Sequence, residues 1–235
     1  MNLVKKASGH IETVLSFVIF ISFVIFLFAI FPVYQPQKSE IGLDSAERGV
    51  INFAAIRVDY MTLVLNQPTS CFSYPAINSA SKIIVRDSSG ERVNAKSDGI
   101  NWYISGSGSF YGVYYSTEFS EGGYDEFDST DCLSLGEQGI SYESGLERHD
   151  IVVSYRRVLE LIELYKSSYE SVRNNFSIPS RENFGFAITD LRGRYLLNIS
   201  RSRPERTSVL VRNTPIQMVY ENGTSVFGML NIQSW

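Results

Sequence analysis

The sequence predicts an α+β protein: a single N-terminal transmembrane helix followed by a β-rich, sandwich-like ectodomain that carries one long amphipathic helix. Three observations predict it. Residues 11–31 read IETVLSFVIFISFVIFLFAIF, a 21-residue apolar run whose one charge is Glu12. At ~1.5 Å per residue it spans roughly 31 Å, enough for one bilayer crossing. Between residues 55 and 117, short segments of strand character recur between turn signals, which is the pattern of an antiparallel meander. From residue 151 to 176, apolar side chains fall in alternating steps of four and three, the spacing of a helix with one buried face.

The elements follow in order. Lys5 and Lys6 precede the apolar run and nothing basic lies within it, so the positive-inside bias puts the first residues in the cytoplasm and the rest of the chain outside. A cleavable secretory signal has a hydrophobic region of roughly 7 to 15 residues ending in a small-x-small site. This run is longer, and it ends in Phe28-Ala29-Ile30-Phe31-Pro32. Six phenylalanines are spread around the helix, and a helix apolar on all sides is either a lipid-facing span or the packed centre of a bundle. Pro32 and Pro36 end it and open a linker over 32–43, after which the domain runs 44–235.

A brief helix is expected over 44–52 and strands over 55–66, 82–86, 91–95, 100–105 and 110–117. They are separated by turns at Asp87 to Gly90, Asp98-Gly99 and 105–108. Past an acidic loop, 150–154 is β-branched. Ile151, Tyr155, Val158, Ile162, Tyr165, Tyr169, Val172 and Phe176 then make the apolar stripe of one helix, stopped by Pro179. Strands 184–189 and 195–199 flank a turn, 208–211 is another strand, and 215–220 pairs with 225–232 across Asn222-Gly223, the dipeptide that best accepts the positive φ of a tight hairpin.

The leader has its own pattern. Two lysines, a small residue, a short polar stretch and a glutamate opening an Ile/Val/Phe-rich helix resemble the class III signal of archaeal type IV pilin-like proteins, over roughly the first 31 residues. The resemblance implies a leader of residues 1–7 and an assembly helix of 8–31. Lys5 and Lys6 would be the basic pair, Ala7 would precede the cut by a prepilin-type peptidase, and Ser8 would become the new N-terminus. Glu12 would then be the family's acid at the fifth mature position; a cut after Gly9 is the alternative. The long helix, Ile-Pro break, Asn-Phe-Gly-Phe segment and closing hairpin also resemble uncharacterised archaeal pilin-like ectodomains. Physically, a carboxylate in an apolar helix is costly, ~2.5 to 3.5 kcal/mol at the bilayer centre on insertion scales. A freed α-amino group on a neighbouring subunit would neutralise Glu12; otherwise its side chain reaches the headgroups.

With 44% hydrophobic residues and 20% charged, the outer portion reads as a folded domain and not a disordered stalk. Cys71 and Cys132, the two cysteines, would pair on an oxidising face; buried free thiols are the other arrangement. Asn175-Phe176-Ser177, Asn198-Ile199-Ser200 and Asn222-Gly223-Thr224 are glycosylation acceptors. Only His10 and His149 are histidines, so no zinc cluster or His-centred triad is expected. No glycine-rich loop has phosphate-binding spacing. No catalytic residue, metal or cofactor is expected, and no enzyme.

Residues 118–131 carry six acids and no base, without the ligand spacing of an EF-hand, so they read as a solvated loop or a weak calcium site. Between Arg192 and Arg212 lie six arginines against Glu205, either paired internally or free to bind a glycan, a nucleic acid or a neighbour's acidic loop. With a net charge of −4, nucleic acid is not an expected partner. The expected partners are membrane lipid, the peptidase and other pilin-like subunits. The expected location is the cell membrane, with the C-terminal domain extracellular. The expected role is that of a pilin or minor pilin in a type IV pilus-like filament; the alternative is a membrane-tethered surface binding domain that never polymerises.

Overall fold

The fold is α+β. The structure, a computed structural model, describes residues 4–30, 38–120, 132–136, 140–202 and 208–235, with side chains in 4–13, 28–30 and 38–39 outside the description. The chain divides into two units, Met1–Lys38 and Ser39–Trp235.

The first unit holds α1 (Val4–Ile30), a continuous helix of 27 residues and so ~40 Å long. From Val14 to Leu27 its large apolar side chains are exposed on every side, Phe17, Phe20 and Phe23 at 64%, 61% and 55% among them. Among the described residues no helix is long and apolar enough to cross a membrane; the side chains described in α1 cover 14–27, which is ~21 Å of helix.

The second unit opens with α2 (Lys38–Ala54), which corrects the expected linker: residues 38–43 are helical, and the rest of that linker lies outside the described residues. Leu43, Ala46, Val50 and Ala54 are buried, a stripe at helical spacing that Gly42 and Gly49 obscure in the sequence. Both glycines are there for packing. A Cβ at Gly49 would strike the ring of Phe176, and one at Gly42 the carboxylate of Glu182.

With no intervening loop, α2 passes into β1 (Ala55–Leu65). The meander is β2 (Cys71–Pro75), β3 (Lys82–Asp87), β4 (Arg92–Ser97), β5 (Asn101–Ser105) and β6 (Phe110–Ser116), followed by short β7 (Leu133–Ser134) and β8 (Tyr142–Ser144). β4 turns the corner: Arg92 and Val93 pair with β3, while Asn94 to Ser97 pair with β5. The sheet therefore folds over itself. β1, β6 and β3 form one layer and β4, β5, β2 and β7 the other. Between them Met61, Leu63, Phe72, Trp102, Tyr111 and Val113 are sealed from solvent, the inner faces of a small sandwich.

β9 (Arg148–Ser154) pairs antiparallel with β1 and leads into α3 (Tyr155–Ser167). Ser154 caps that helix, its hydroxyl accepting from Arg157 N at 3.3 Å. The expected single long helix is two, α3 and α4 (Tyr169–Asn175), broken at Ser168. The apolar spacing carries across the break because Val158, Leu161, Tyr165, Tyr169 and Val172 all remain buried. Ile151, first in the expected stripe, is instead on β9 and 76% exposed.

The same sheet continues past β9 with an antiparallel C-terminal part, β10 (Phe184–Asp190), β11 (Tyr195–Ile199), β12 (Leu210–Val219) and β13 (Ser225–Ser234), in the order β11-β10-β13-β12 and joined through the short parallel pairing of β12 with β9. Phe184, Phe186, Ile188, Leu230 and Ile232 of this sheet share one core with α2, α3 and α4. The strands expected at 208–211 and 215–220 are one strand running through Pro215. Over that stretch β12 is paired on the β13 side alone, since its parallel pairing with β9 is limited to Met218 and Val219, and a proline is tolerated at such an edge.

Candidate functional site

The expected leader residues Lys5, Lys6, Ala7 and Ser8, and Glu12, lie within the helical backbone of α1; their side chains are outside the described residues. Cys71 and Cys132 are joined as a disulfide with Cα atoms 4.7 Å apart. It ties the start of β2 to the segment entering β7, which runs parallel to β2 through Phe72 and Leu133.

The three sequon asparagines are all exposed but lie apart. Asn175 ends α4, Asn198 is on β11 at the edge of the sheet, and Asn222 is at the tip of the β12–β13 hairpin.

Among the described residues, Glu118 of the acidic stretch and Arg194, Arg201 and Arg212 of the basic one are paired within the chain. Of the acidic loop, 121–131 lies outside the described residues. Glu118 accepts from Arg157 Nε and Nη2 at 3.1 and 2.6 Å, and Arg157 also donates to the Ala55 carbonyl at 3.3 Å. In the arginine-rich stretch, Arg194 pairs with Asp190 at 2.7 Å, and Arg201 lies 4.3 Å from the Tyr169 ring centroid and 3.8 Å from Glu170. Arg212 is held by Asp44 and Glu47 of α2, which attaches that helix to the sheet. Arg203 and Arg206 lie outside the described residues. His149 is exposed on β9 opposite Asp59. No three of His, Cys, Asp and Glu come together as a metal site among the described residues.

Sequence reasoning missed two clefts in the second unit. One, of 580 Å³, is lined by Arg57, Asp59, Asn78, Ser81, Tyr115 and Glu147. Its polar groups are satisfied by one another: Arg57 Nε donates to Asp59 at 2.6 Å, Tyr115 donates its hydroxyl to Glu147, and Ser116 Oγ donates to the Arg57 carbonyl at 3.0 Å. Burial, then the bond to Glu147, pushes the Tyr115 phenol far above its ordinary value. That makes it a fixed donor and no acid–base group near neutrality.

The other cleft, of 350 Å³, lies between the β12–β13 hairpin and the face of β1, β6 and β9 that points away from the sandwich core. Its lining includes Tyr60, Tyr114, Arg148, Asp150 and Gln217 over a floor of Val58, Phe119, Val152 and Val219. The two tyrosines are cross-strand partners with ring centroids 4.7 Å apart. Burial raises the Tyr60 phenol. The available sequence signal was the adjacent pair Tyr114-Tyr115, which in a strand must point to opposite faces. One of them is therefore committed to the outer side.

Comparison with protein-family models, with curated proteins and with solved structures yields no match to this chain.

Proposed function

We propose that the chain is a structural subunit, a pilin or minor pilin, of a type IV pilus-like surface filament, with α1 crossing the membrane before assembly and packing among its copies afterwards. The observation that carries this reading is α1 itself: a 27-residue helix that makes up its own unit, whose large apolar side chains described between Val14 and Leu27 are exposed except for a half-buried Val24. A surface of that kind in water is a docking surface awaiting lipid or protein. Lys5 and Lys6 ahead of the apolar run and Glu12 at the start of that run would supply the processing signal and the acid of the assembly helix. The domain then faces outward, where its disulfide is in keeping with an oxidising setting.

A specific observation favours the second reading, a tethered surface binding domain. Pro32 and Pro36 follow the apolar run, where proline disfavours an uninterrupted helix, whereas a filament helix is stiffest when it continues into its head.

The test is the N-terminal residue of the mature protein, expressed with and without a prepilin-type peptidase. A peptidase-dependent start at Ser8 or His10 is expected. The initiating Met1 or Asn2 in both preparations would turn the assignment to the tethered domain.

A further inference from the structure

We infer that the cleft between the β12–β13 hairpin and the outer face of β1, β6 and β9 binds a neutral glycan. Its pyranose rings would sit against Tyr60 and Tyr114, their hydroxyls taken by Asp150, Arg148 and Gln217. The inference is independent of whether the chain polymerises.

The cleft follows from the topology. β9 and β12 run parallel but pair only through Val153–Met218 and Ser154–Val219. Beyond those residues they separate, and the hairpin turn leans back over β3. A Cβ at Gly223 would strike Ile84, and Ser120 N donates to the Glu221 carbonyl at 3.1 Å. The space left between is floored by buried side chains, Val152 and Val219 at 6% and 7% exposure and Phe119 at 3%, and its volume of 350 Å³ is that of a small-molecule site. The Tyr60 and Tyr114 rings, tilted by 38°, lie over Gly112, whose lack of a side chain leaves room for them. A Cβ there would approach the Tyr60 ring to 3.2 Å.

The polar groups select the ligand class. Arg148 and Asp150 both line the cleft and are exposed. Neither side chain has a hydrogen bond or ion pair with another of the described residues, their backbones being paired with β1. An anion would meet Asp150, and a lipid tail would strip water from both charges without compensation. A polyhydroxylated neutral ring satisfies a carboxylate, a guanidinium and an amide at once, while its C–H face rests on the tyrosines.

A zwitterion would also match the two charges. The surface that continues from the cleft decides between them. Gln217 and Ser225 line the cleft, and alternate residues along the same strands carry that face onward. From Val211 to Gln217 on β12 and from Ser225 to Gln233 on β13, that face holds no charged residue. Its side chains form an amide ladder, Asn231 donating to Asn213 at 2.6 Å and Gln233 to Asn231 at 2.8 Å, with Phe227 61% exposed beside it. An uncharged track of amides and an aromatic suits a glycan longer than one residue and gives a zwitterion nothing further to hold.

The experiment is saturation-transfer NMR on the full chain in a detergent without a sugar headgroup. The probes are maltotriose, cellotriose and mannotriose, with diglycine as the zwitterion. Transfer to the ring protons of at least one trisaccharide is expected. Asp150→Ala, at an exposed position that the fold does not depend on, and Gln217→Ala should each weaken binding roughly tenfold, the scale of one lost hydrogen bond to a charged or planar group. No transfer to any of the three sugars, equal transfer in both variants, or transfer to diglycine alone would overturn the inference. So would a dimer that forms through this face and excludes the sugar.

Discussion

Ser177 is the one non-glycine residue with positive φ among the described residues, at 57°. It closes α4: Ile178 N donates to the Arg173 carbonyl at 3.0 Å and Ser177 N to Asn174 at 2.9 Å, the paired bonds of a Schellman cap whose left-handed position favours glycine. Ser177→Gly should therefore raise stability by about 1 kcal/mol in urea unfolding. The same change deletes the hydroxyl of the Asn175 sequon, so loss of any glycan there is read separately by mass. Three aspartates do related work in the turns. Asp87 accepts from the Ser89 hydroxyl at 2.6 Å, Asp98 from Asn101 N and Ile100 N at 2.6 and 2.7 Å, and Asp190 from Arg194 N and Arg192 N at 2.9 Å. These bonds hold all three carboxyls below the usual range. A folded pKa below the unfolded one stabilises fully above the unfolded value, and that stabilisation is lost as pH falls through the folded one. Stability should thus fall below about pH 4, and Asp98→Asn should flatten that acid slope. Glu182 has the opposite sign. Burial raises its carboxyl, so stability present at low pH is lost as pH rises through that raised value, and Glu182→Gln should stabilise the protein at pH 7.

At the scale of elements, the sandwich depends on a loop that secondary structure does not hold. β7 has two residues and pairs with β2 through Phe72–Leu133 and Ser73–Ser134. The Cys71–Cys132 bond closes a sequence separation of 61 at that point, worth ~4 kcal/mol in the chain-entropy model. Reduction, or a Cys71→Ala/Cys132→Ala double change, should lower stability by about that much in thermal unfolding. Equal melting with and without reductant would contradict the assigned role. The same comparison shows what was legible. The strands β1 and β3 to β6 and the closing hairpin were, because alternation and Asn-Gly or Asp-Gly turns are local signals; β2 (Cys71–Pro75) was not among the expected strands. The extent of α2 was not legible either: Gly42 and Gly49 interrupt its apolar stripe, and what they make room for, Phe176 and Glu182, lies more than a hundred residues away in sequence. Nor were β7 and β8, which are too short to show a period. The cleft was hidden for a related reason. Tyr60, Arg148 and Gln217 come from three separate strands, and what brings them together is the divergence of β9 from β12.

For the whole molecule, the division into a helical unit and a domain of its own core separates two questions that the chain combines. The domain holds its helices by internal packing and by Arg212 gripping α2. Changes in α1 should therefore leave the domain's unfolding unaltered and act only on anchoring and assembly. Glu12 is the sharpest place to act. If subunits pack through their apolar helices, a carboxylate one turn into the helix is tolerable only when a neighbour's α-amino group meets it, since an unpaired charge in that setting costs ~2.5 to 3.5 kcal/mol at the centre and less near the edge. Glu12→Ala removes the cost together with the pairing, leaving hydrophobic packing with no register. Glu12→Gln keeps the shape and loses the charge. On the filament reading both variants should still reach the membrane and be cut by the peptidase, yet enter sheared filaments at roughly a tenth of the wild-type yield or less, as expected for a lost pairing of about 1.4 kcal/mol or more. Wild-type yield of both would remove the pairing role from Glu12. Wild-type yield of Glu12→Gln alone would show that a polar group suffices there and that no amine is needed.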